Sequence, residues 1–401
     1  MALLPVADAT ARLLDGAAPL PAEIVPIGEA AGRVLASDLK ALRTQPPFDA
    51  SAMDGYAVRA ADLAETPATL KVVGQVAAGQ VFDGSVGPGQ AMRIFTGAPI
   101  PDGADSVLIQ ENARVVSVDV IEAMEPLAKG RNVRLQGLDF KEGMPILPAG
   151  RMLDPAALSL AAAANHAELP VVRRPVVAIM ATGDELLPPG STMKPGKIIA
   201  SNFYGVAAIA QSAGAKILDL GIVPDDRALI ANALQLAIES GADVLVTLGG
   251  ASVGDHDLVR GVMTEAGMAL GFWKIAMRPG KPLMFGRLGT LRVLGLPGNP
   301  VASLICSHLF LAPLVAQLAG RPYRLDERTA RLAVAMTEND QRQDYVRAAA
   351  EWHNGDLVAT PFTIQDSSML RTLTDANALI VRVPFAPAAK AGDECRVILL
   401  R

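Results

Sequence analysis

Cysteine, histidine and aromatic residues are scarce in this chain of 401 residues. It contains two cysteines, Cys306 and Cys395, four histidines and no C-x-x-C pair. This scarcity argues against a structural zinc site, an iron–sulfur cluster held by the protein, and a disulfide framework. Aromatic residues make up 4% of the chain and apolar residues 51%, so we expect aliphatic cores. The two cysteines are then expected to be small buried side chains in a reducing compartment.

A surplus of positive charge is also missing. Lysine and arginine number 36 against 41 aspartates and glutamates, which gives a formal net charge of -5. A general nucleic-acid-binding protein would carry a basic surplus, so we expect no nucleic-acid partner. The first sixteen residues have no basic segment ahead of the apolar ones, and Asp8 interrupts them. We therefore expect no signal peptide and a cytoplasmic location.

Charge is absent from one long segment, residues 301–320. Its length would span a bilayer. However, Ser303, His308, Pro313 and Gln317 interrupt it, and it follows a strand and a turn in a soluble α/β pattern. We expect a buried core or interface helix, with no membrane partner.

The secondary structure that the sequence predicts changes three times along the chain. Helices are expected at 3–17 and 29–36, followed by a small antiparallel β unit from about 45 to 150, where β-prone runs alternate with glycine and proline turns. From residue 173 strands alternate with helices, which predicts βαβ units and a central parallel sheet. After a polar linker at 321–328, short strands return and predict a separate antiparallel β domain.

Polar residues follow the predicted parallel strands, where open α/β sheets bind their ligands. Asp184 and Glu185 come after the apolar run 175–182. Asp225 and Asp226 come after 216–223, where a helix cap and a functional carboxylate are both open interpretations.

The segment 249–257 (GGASVGDHD) follows the next strand. Its backbone N–H groups, with Gly249, Gly250, Ser252 and Gly254, are suited to an anion-binding nest at a helix N-terminus. Asp255 and Asp257 then begin the helix as caps or as ligands of Mg²⁺, and both interpretations stay open.

Three cations, Lys274, Arg278 and Lys281, surround a glycine–proline turn. They form either a solvated charge run or a clamp for phosphate or oxyanion oxygens. The turn at 296–303 (LPGNPVAS) again ends in a helix N-terminus, which favours anions. In the N-terminal part, residues 44–62 hold Asp49, Ser51, Asp54 and Tyr56, and Thr96 ends a predicted strand. Walker, dinucleotide-binding and G-x-S-x-G signatures are absent from the sequence.

Seven motifs occur in the order and approximate spacing of one family: PPFDASAMDGYAV, RIFTGAPIPDGAD, ATGDEL, SN at 201–202, TLGGASVGDHD, FWKIAMRPGKP and LPGNP. Together they resemble the bacterial molybdopterin molybdenumtransferase family, MoeA, which is related to the gephyrin E domain. The resemblance covers essentially the whole chain. Arg278 stands where many members have lysine, and Asp255 where some have glutamate.

The resemblance implies an enzyme that uses adenylylated molybdopterin, molybdate and Mg²⁺, forms the molybdenum cofactor and releases AMP. Carried over by motif, the catalytic residues are Asp54, Thr96, Glu185, Asp225 and Asp257, and Asp225 and Asp257 also become the expected Mg²⁺ ligands. The expected substrate-binding residues are Ser201, Asn202, Gly249, Gly250, Ser252, Gly254, Lys274, Arg278, Lys281, Pro297 and Pro300.

The resemblance also implies a multidomain α/β architecture. Its expected parts are an N-terminal mixed α+β region of two lobes at 1–172, with a β lobe inserted at about 52–140, a molybdopterin-binding α/β domain at 173–320, and a C-terminal antiparallel, barrel-like β domain at 321–401. The family forms homodimers, so we expect an active site between subunits, with Asp54 acting in the partner's site. A molybdopterin adenylyltransferase and apo-molybdoenzymes are further expected partners.

Two other functions stay open. One is an adenylyltransferase-like activity, because the α/β domain alone also resembles that fold and the CinA-type domain. The other is a non-catalytic scaffold of the gephyrin kind. The motif PPFDASAMDGYAV and the C-terminal β domain argue against the first, and the acidic residues Asp54, Glu185, Asp225 and Asp257 argue against the second.

Overall fold

The computed structural model describes residues 3–249 and 258–400. They divide into two compact units. The α/β–barrel unit comprises Met1–Glu23, Gly32–Val34 and Val171–Arg401, and the N-terminal unit comprises Ile24–Ala31 and Leu35–Pro170. The N-terminal unit is therefore an insertion in the sequence of the other.

The secondary structure of the described residues alternates short strands with helices of one to four turns. The α-helices are α1 (Val6–Leu14), α2 (Pro155–Ala163), α3 (Asn202–Ser212), α4 (Arg227–Glu239), α5 (Leu258–Glu265), α6 (Pro300–Cys306), α7 (Ala312–Leu318) and α8 (Leu370–Asp375). Short 3₁₀ turns lie at Ile27–Glu29, Ala60–Leu63 and Gln110–Asn112, and a π-helical turn lies at Ser307–Leu311.

The described strands form three six-stranded sheets and four two-stranded sheets. In chain order they are β1 (Ala22–Pro26), β2 (Leu39–Lys40), β3 (Ala50–Ser51), β4 (Gly55–Val58), β5 (Ala68–Val76), β6 (Gln90–Ile94), β7 (Ser106–Ile109), β8 (Ala113–Ser117), β9 (Val120–Ala123), β10 (Val133–Arg134), β11 (Pro145–Leu147), β12 (Glu168–Val172), β13 (Val176–Thr182), β14 (Leu186–Leu187), β15 (Ile198–Ile199), β16 (Lys216–Val223), β17 (Val244–Leu248), β18 (Ala269–Trp273), β19 (Met277–Arg278), β20 (Met284–Leu288), β21 (Leu291–Leu296), β22 (Asp326–Leu332), β23 (Gln343–His353), β24 (Asp356–Pro361), β25 (Ala378–Arg382) and β26 (Glu394–Leu399).

The central sheet of the α/β–barrel unit has the strand order β16-β13-β17-β21-β20-β18. The first four strands are parallel, as the strand–helix alternation predicts, and β13 and β17 are almost continuously buried because both faces of the sheet are covered. The pairs β21–β20 and β20–β18 are antiparallel, because β20 and β21 are joined by a tight hairpin rather than by a helix, so β20 runs against the other five strands. The predicted α/β domain is confirmed, with a mixed sheet.

Alternate residues of β13 enter two different cores. Val177 and Ile179 join a core that also holds residues of α1, α3, α6 and α7, whereas Ala178 and Met180 join one with residues of α4 and α5. This separation follows from the two-residue period of a strand. The sheet is therefore a layer between two helical layers.

The charge-free segment folds as the continuous helix Pro300–Leu318. This helix is long and apolar enough to cross a membrane, but 78% of its most apolar stretch is buried inside the protein. The expected core helix is confirmed. Its central π turn precedes Pro313, and a proline there lacks the N–H that would continue the α-helical ladder.

The N-terminal unit is built around a six-stranded sheet with the order β7-β4-β6-β5-β9-β8, in which only the β5–β6 pair is parallel. Two small aliphatic cores cover its faces, one containing Leu70 and Leu108 and the other Met92 and Ile94. The helix expected at 29–36 is wrong. A 3₁₀ turn ends at Glu29, and Gly32 has a φ of 68°, a conformation that interrupts a helix.

The C-terminal strands close into a barrel. The order is β23-β24-β22-β26-β25, and β25 pairs back onto β23, while β19 adds to the outside of β23. Most pairs are antiparallel, but β22 and β24 are parallel. The expectation of a purely antiparallel barrel is therefore wrong. Closure removes the free sheet edges that a short-stranded domain would otherwise expose.

Candidate active site

A cleft of about 620 Å³ lies at the carboxyl edge of the central sheet. It is lined by the end of β13, the end of β17, the turn after β21 and the beginnings of several helices. The lining residues are Ala181, Thr182, Gly183, Glu185, Leu186, Ile198, Ile199, Ala200, Ser201, Asn202, Phe203, Asp225, Leu248, Gly249, Leu258, Val259, Pro282, Pro297, Gly298, Asn299 and Pro300. Seven predicted site residues thus come together: Glu185, Ser201, Asn202, Asp225, Gly249, Pro297 and Pro300.

Helix beginnings dominate the wall of this cleft. Helix α3 begins at Asn202, α6 begins at Pro300 after its cap Asn299, and Asp225 directly precedes the cap of α4. The N-terminal N–H groups of a helix have no partner within the helix and carry partial positive charge. Asn202 Nδ2 also donates to Gly298 O at 2.7 Å, which fixes the α6 turn. The wall is therefore suited to phosphate or another oxyanion.

Two glycines at the floor of the cleft allow neighbouring groups to approach the backbone closely. A side chain on Gly249 would place its Cβ 2.8 Å from the carbonyl oxygen of Thr182, and the φ of Gly249 is 97°. At Gly183, whose φ is 147°, a Cβ would collide with the Glu185 carboxylate, so only glycine allows that carboxylate to fold back over the strand end. Both glycines follow strands, and the sequence predicts a turn that a ligand can approach at Gly249.

Three carboxylates meet at one side of the cleft. The backbone N–H of Asp225 donates to Asp184 Oδ1 at 3.2 Å. Partial burial raises the pKa of Asp225, and the negative charges of Asp184 and Glu185 raise it further. A cation placed here would relieve this repulsion. Carboxylate oxygens are the donors that Mg²⁺ prefers, and Mg²⁺ typically takes one or two carboxylates and keeps waters or substrate phosphates as its other ligands.

No group of three or more histidine, cysteine, aspartate or glutamate side chains in residues 3–249 and 258–400 is arranged to hold a metal ion by itself. Asp225 and Glu185 nevertheless fit a Mg²⁺ ion that is shared with substrate phosphates. The expected second ligand, Asp257, lies outside the described residues, together with the expected Gly250, Ser252 and Gly254. The Asp225–Asp257 metal pair stays a prediction.

The three predicted clamp cations do not line the cleft. Arg278 forms an ion pair with Asp344 on β23 and lies 3.3 Å from Asp340, and the pKa of Arg278 is raised chiefly by its bond to Asp344. Asp344 is almost fully buried and needs a counter-charge, and Arg278 supplies it instead of facing the cleft. Arg278 therefore has a structural partner, and its anion-binding role stays a prediction.

The other two cations, Lys274 and Lys281, lie on either side of Arg278 in the sequence. Lys274 Nζ is 4.2 Å from the ring centroid of Trp273, and the φ of Lys274 is 135°, a rare conformation outside glycine. Lys281 directly precedes Pro282, which lines the cleft. Anion binding by either lysine stays a prediction.

In the N-terminal unit the structure brings Asp54 and Thr96 together. Thr96 donates its backbone N–H and its hydroxyl to Asp54 Oδ1, at 2.7 and 2.8 Å. These two bonds, the backbone bond first, lower the pKa of Asp54, and the charge of Arg93 acts in the same direction. Asp54, which directly precedes β4, is therefore held as an ionised carboxylate.

Sequence reasoning missed a link between the barrel and the cleft. Ser367 accepts the backbone N–H of Val301 at 3.0 Å, and its hydroxyl accepts Asn299 Nδ2 at 2.8 Å. The loop that carries Ser367 is held by Arg347, which is 1% exposed and donates to Gln365 Oε1 and Asp366 O. An arginine followed directly by three alanines within a predicted strand is the signal that could have found it.

Thr182 was also missed. It lines the cleft, is 5% exposed, and its hydroxyl has no hydrogen-bond partner among the residues that the structure describes. A hydroxyl directly before the glycine at a strand end is the available sequence signal.

Three family models match successive parts of the chain. The MoeA N-terminal region (domain I and II) matches residues 4–165, the probable molybdopterin binding domain matches 178–317, and the MoeA C-terminal region (domain IV) matches 329–400.

Several relatives are similar to this chain over most of their length. The molybdopterin molybdenumtransferase of Haemophilus influenzae is 38% identical over 303 residues, which cover 76% of this chain and 74% of that protein. That of Bacillus subtilis is 34% identical over 407 residues, 99% of this chain and 94% of that protein. The crystal structure of the molybdopterin biosynthesis moea protein from Pyrococcus horikosii has a TM-score of 0.84 at 29% identity and covers 100% of both chains.

The fold and the cleft define a multidomain α/β protein with a cleft, lined by helix beginnings, at the carboxyl edge of its sheet. The chain belongs to the molybdopterin molybdenumtransferase family, transferases of molybdenum cofactor biosynthesis. The resemblance seen in the sequence motifs is confirmed.

Proposed function

We propose that the cleft binds adenylylated molybdopterin and molybdate, that molybdenum is inserted at the dithiolene of the pterin, and that AMP is released. The observation that supports this most is the meeting of the α3 and α6 beginnings with the Asp225 carboxylate in one cleft. Backbone N–H groups suit phosphate and molybdate oxygens. The scarcity of cysteine and histidine also fits, because the pterin sulfurs, not the protein, would bind molybdenum.

The residues of the cleft have distinct proposed roles. The N–H groups at the start of α3 hold oxyanion oxygens, and the Asn202–Gly298 bond holds the α6 turn beside them before the substrate arrives. At the start of α6, Pro300 has no N–H and the N–H of Val301 already donates to Ser367 O, so α6 contributes the partial positive charge of its N-terminus. Asp225 and Glu185 would hold Mg²⁺, which when bound supplies positive charge to the phosphate oxygens. Because the pKa of Asp225 is raised, this carboxyl also takes up a proton more readily than an ordinary aspartate.

We also propose that the protein acts as a homodimer and that Asp54 of one subunit completes the cleft of the other. Asp54 lies in the N-terminal unit, whereas the cleft is formed within the α/β–barrel unit. Its carboxylate is exposed, ionised and fixed by Thr96, which are the properties of a group prepared for a ligand that its own unit does not supply.

The proposed cellular setting is the cytoplasm. Cys306 is buried and Cys395 is partly buried, both are free, and burial raises the pKa of both thiols, to about 11 for Cys395. Such thiols are small apolar side chains with no disulfide to maintain, as a reducing compartment allows. A molybdopterin adenylyltransferase would supply the substrate, and apo-molybdoenzymes would receive the product.

The test is to incubate the protein with adenylylated molybdopterin, molybdate and Mg²⁺ and to measure AMP and pterin-bound molybdenum. We expect both to appear in equal amounts. An adenylyltransferase would instead consume ATP with molybdopterin and release pyrophosphate, and a scaffold would do neither. A parallel reaction with tungstate reports the metal preference. The Asp225→Asn variant is the control, because it should retain the fold and lose most AMP release.

A further inference from the structure

Arg93 occupies an unusual position beside Asp54. It lies on β6, directly opposite Tyr56 on β4. The guanidinium carbon is 5.0 Å from the ring centroid of Tyr56 and 5.0 Å from that of Phe95. Two aromatic rings thus hold one guanidinium by cation–π contact, which restricts the rotamers of a normally flexible side chain.

The hydrogen bonds of Arg93 reach the backbone that carries Asp54. Arg93 Nη1 donates to Gly55 O at 3.1 Å, and Nη2 donates to Gln110 Oε1 at 2.8 Å. Gln110 in turn donates its backbone N–H to Asp54 O at 3.2 Å. The carbonyls of Asp54 and Gly55 are therefore both fixed by groups that Arg93 connects.

The carboxylate of Asp54 is fixed from a second direction by Thr96, through Oδ1. Within the described part of the chain, Oδ2 has no hydrogen bond. One oxygen is thus used to orient the group, and the other stays available to a ligand or a proton.

We propose that Arg93 is a positioning residue for Asp54: it fixes the peptide on the carboxyl side of Asp54 so that Oδ2 is presented in one orientation. This rests on the proposed function of Asp54. Lysine would not replace Arg93, because an ammonium lacks the planar fork that spans Gly55 O and Gln110 while lying between two rings. Arg93 is half-buried; its partner Gly55 is buried, and its partner Gln110 is exposed.

The experiment compares four variants of the full chain: Arg93→Gln, Arg93→Lys, Asp54→Asn and the Arg93→Gln/Asp54→Asn double variant. Arg114→Gln is the matched control, because Arg114 lies in the same sheet and pairs with Glu122. AMP release gives kcat and KM, and carboxyl NMR follows the titration of Asp54.

We expect Arg93→Gln to lower kcat roughly 10- to 100-fold, the size of effect that misplacement of a reacting group produces, with little change in KM. The Asp54 titration should move to higher pH. Arg93→Lys should restore the titration, since the charge is kept, but not kcat. The double variant should be no slower than Asp54→Asn, because Arg93 acts only through Asp54.

Two outcomes overturn the proposal. One is a kcat in Arg93→Gln equal to that of Arg114→Gln while Asp54→Asn is inactive. The other is a further loss in the double variant beyond Asp54→Asn, which would show that Arg93 acts on something else. Full activity of Asp54→Asn, in contrast, identifies a failure of the proposed function of Asp54, and Arg93 then has no part in the reaction.

Discussion

Asp225 and Asp226 are adjacent, yet only Asp226 caps helix α4: its Oδ1 accepts the backbone N–H groups of Ala228 and Leu229 at 2.9 and 3.0 Å, while Asp225 lines the cleft. We expect Asp226→Ala to lower the free energy of unfolding by about 1 kcal/mol, the usual value of a lost N-cap, and to keep AMP release. Asp225→Asn should do the reverse. Denaturant unfolding and AMP release on both variants check this, and equal effects of the two would contradict it.

The pH dependence of stability should report Asp225 separately. Because its pKa is raised on folding, the native state holds this proton more tightly than the unfolded chain does. Ionisation of Asp225 therefore destabilises the fold, so its contribution to stability falls as pH rises above the usual carboxyl range. Asp225→Asn should be at least as stable as the wild type at pH 7. At pH 4 the stability of the variant relative to the wild type should be lower than at pH 7. Melting temperatures across this range give the answer, and a stability loss at pH 7 would contradict the sign.

Thr96 should set the acid limb of activity. Its hydroxyl and N–H both stabilise the ionised form of Asp54, so Thr96→Val should move the acid limb of kcat/KM to higher pH. The shift is partial because the backbone N–H, the larger cause, stays. Thr96→Ser keeps the hydroxyl and should keep the wild-type limb. A serine variant that behaves like the valine variant would exclude the hydroxyl as the cause.

Arg278 and Lys281 should separate into a structural and an anion-binding cation. Arg278→Met leaves the buried Asp344 unpaired and should cost about 1–3 kcal/mol, less than for a fully buried pair because 46% of the Arg278 side chain is exposed. Asp344→Asn in the same chain should restore much of this. Lys281→Ala should instead weaken molybdate or pterin binding and lower its salt dependence, with little loss of stability. Unchanged affinity and salt slope in Lys281→Ala would remove the clamp.

Mixed dimers test whether Asp54 acts across subunits. Asp54→Ala and Asp225→Ala chains, each inactive, are unfolded together and reassembled. If Asp54 serves the partner's cleft, about a quarter of wild-type activity should return, since random pairing makes half of the dimers mixed and each has one complete site. Absence of recovery in mixed dimers that are verified by mass would place Asp54 in its own chain's site or outside the reaction.

The fold was predictable where a pattern repeats. The apolar runs of β13 and β17 and the strand–helix alternation predict a parallel sheet, because buried parallel strands lack the polar alternation of half-exposed ones. Barrel closure was less accessible, since it depends on β25 pairing back onto β23, a long-range contact with no local signature. The helix expected at 29–36 failed because alanine-rich propensity yields to a turn at Gly32.

The residues of the candidate site also differ in whether the sequence could predict them. Glu185 and Asp225 were found because they follow strands of one sheet, and such positions converge at a single edge, whereas Asn202 was expected from the family motif SN at 201–202. Ser367 and Arg347 could not be placed, because their approach to α6 depends on how the barrel packs within its unit. Arg278 shows the opposite limit: a local charge cluster does not reveal that Asp344 on another strand already pairs with it.

Helix α1 packs against the last helix of the α/β core, and Gln317 Nε2 donates to Ala17 O at 2.6 Å across 300 residues of sequence. On the ribosome, at about 5–20 residues per second, α1 would leave the exit tunnel roughly 15–60 s before its partner is made. During that time Leu13, which is fully buried in the finished protein, faces water. Helix α1 is therefore translated before the N-terminal unit and is among the last elements to fold, and the inserted N-terminal unit, whose contacts lie within residues 24–170, can fold in the meantime.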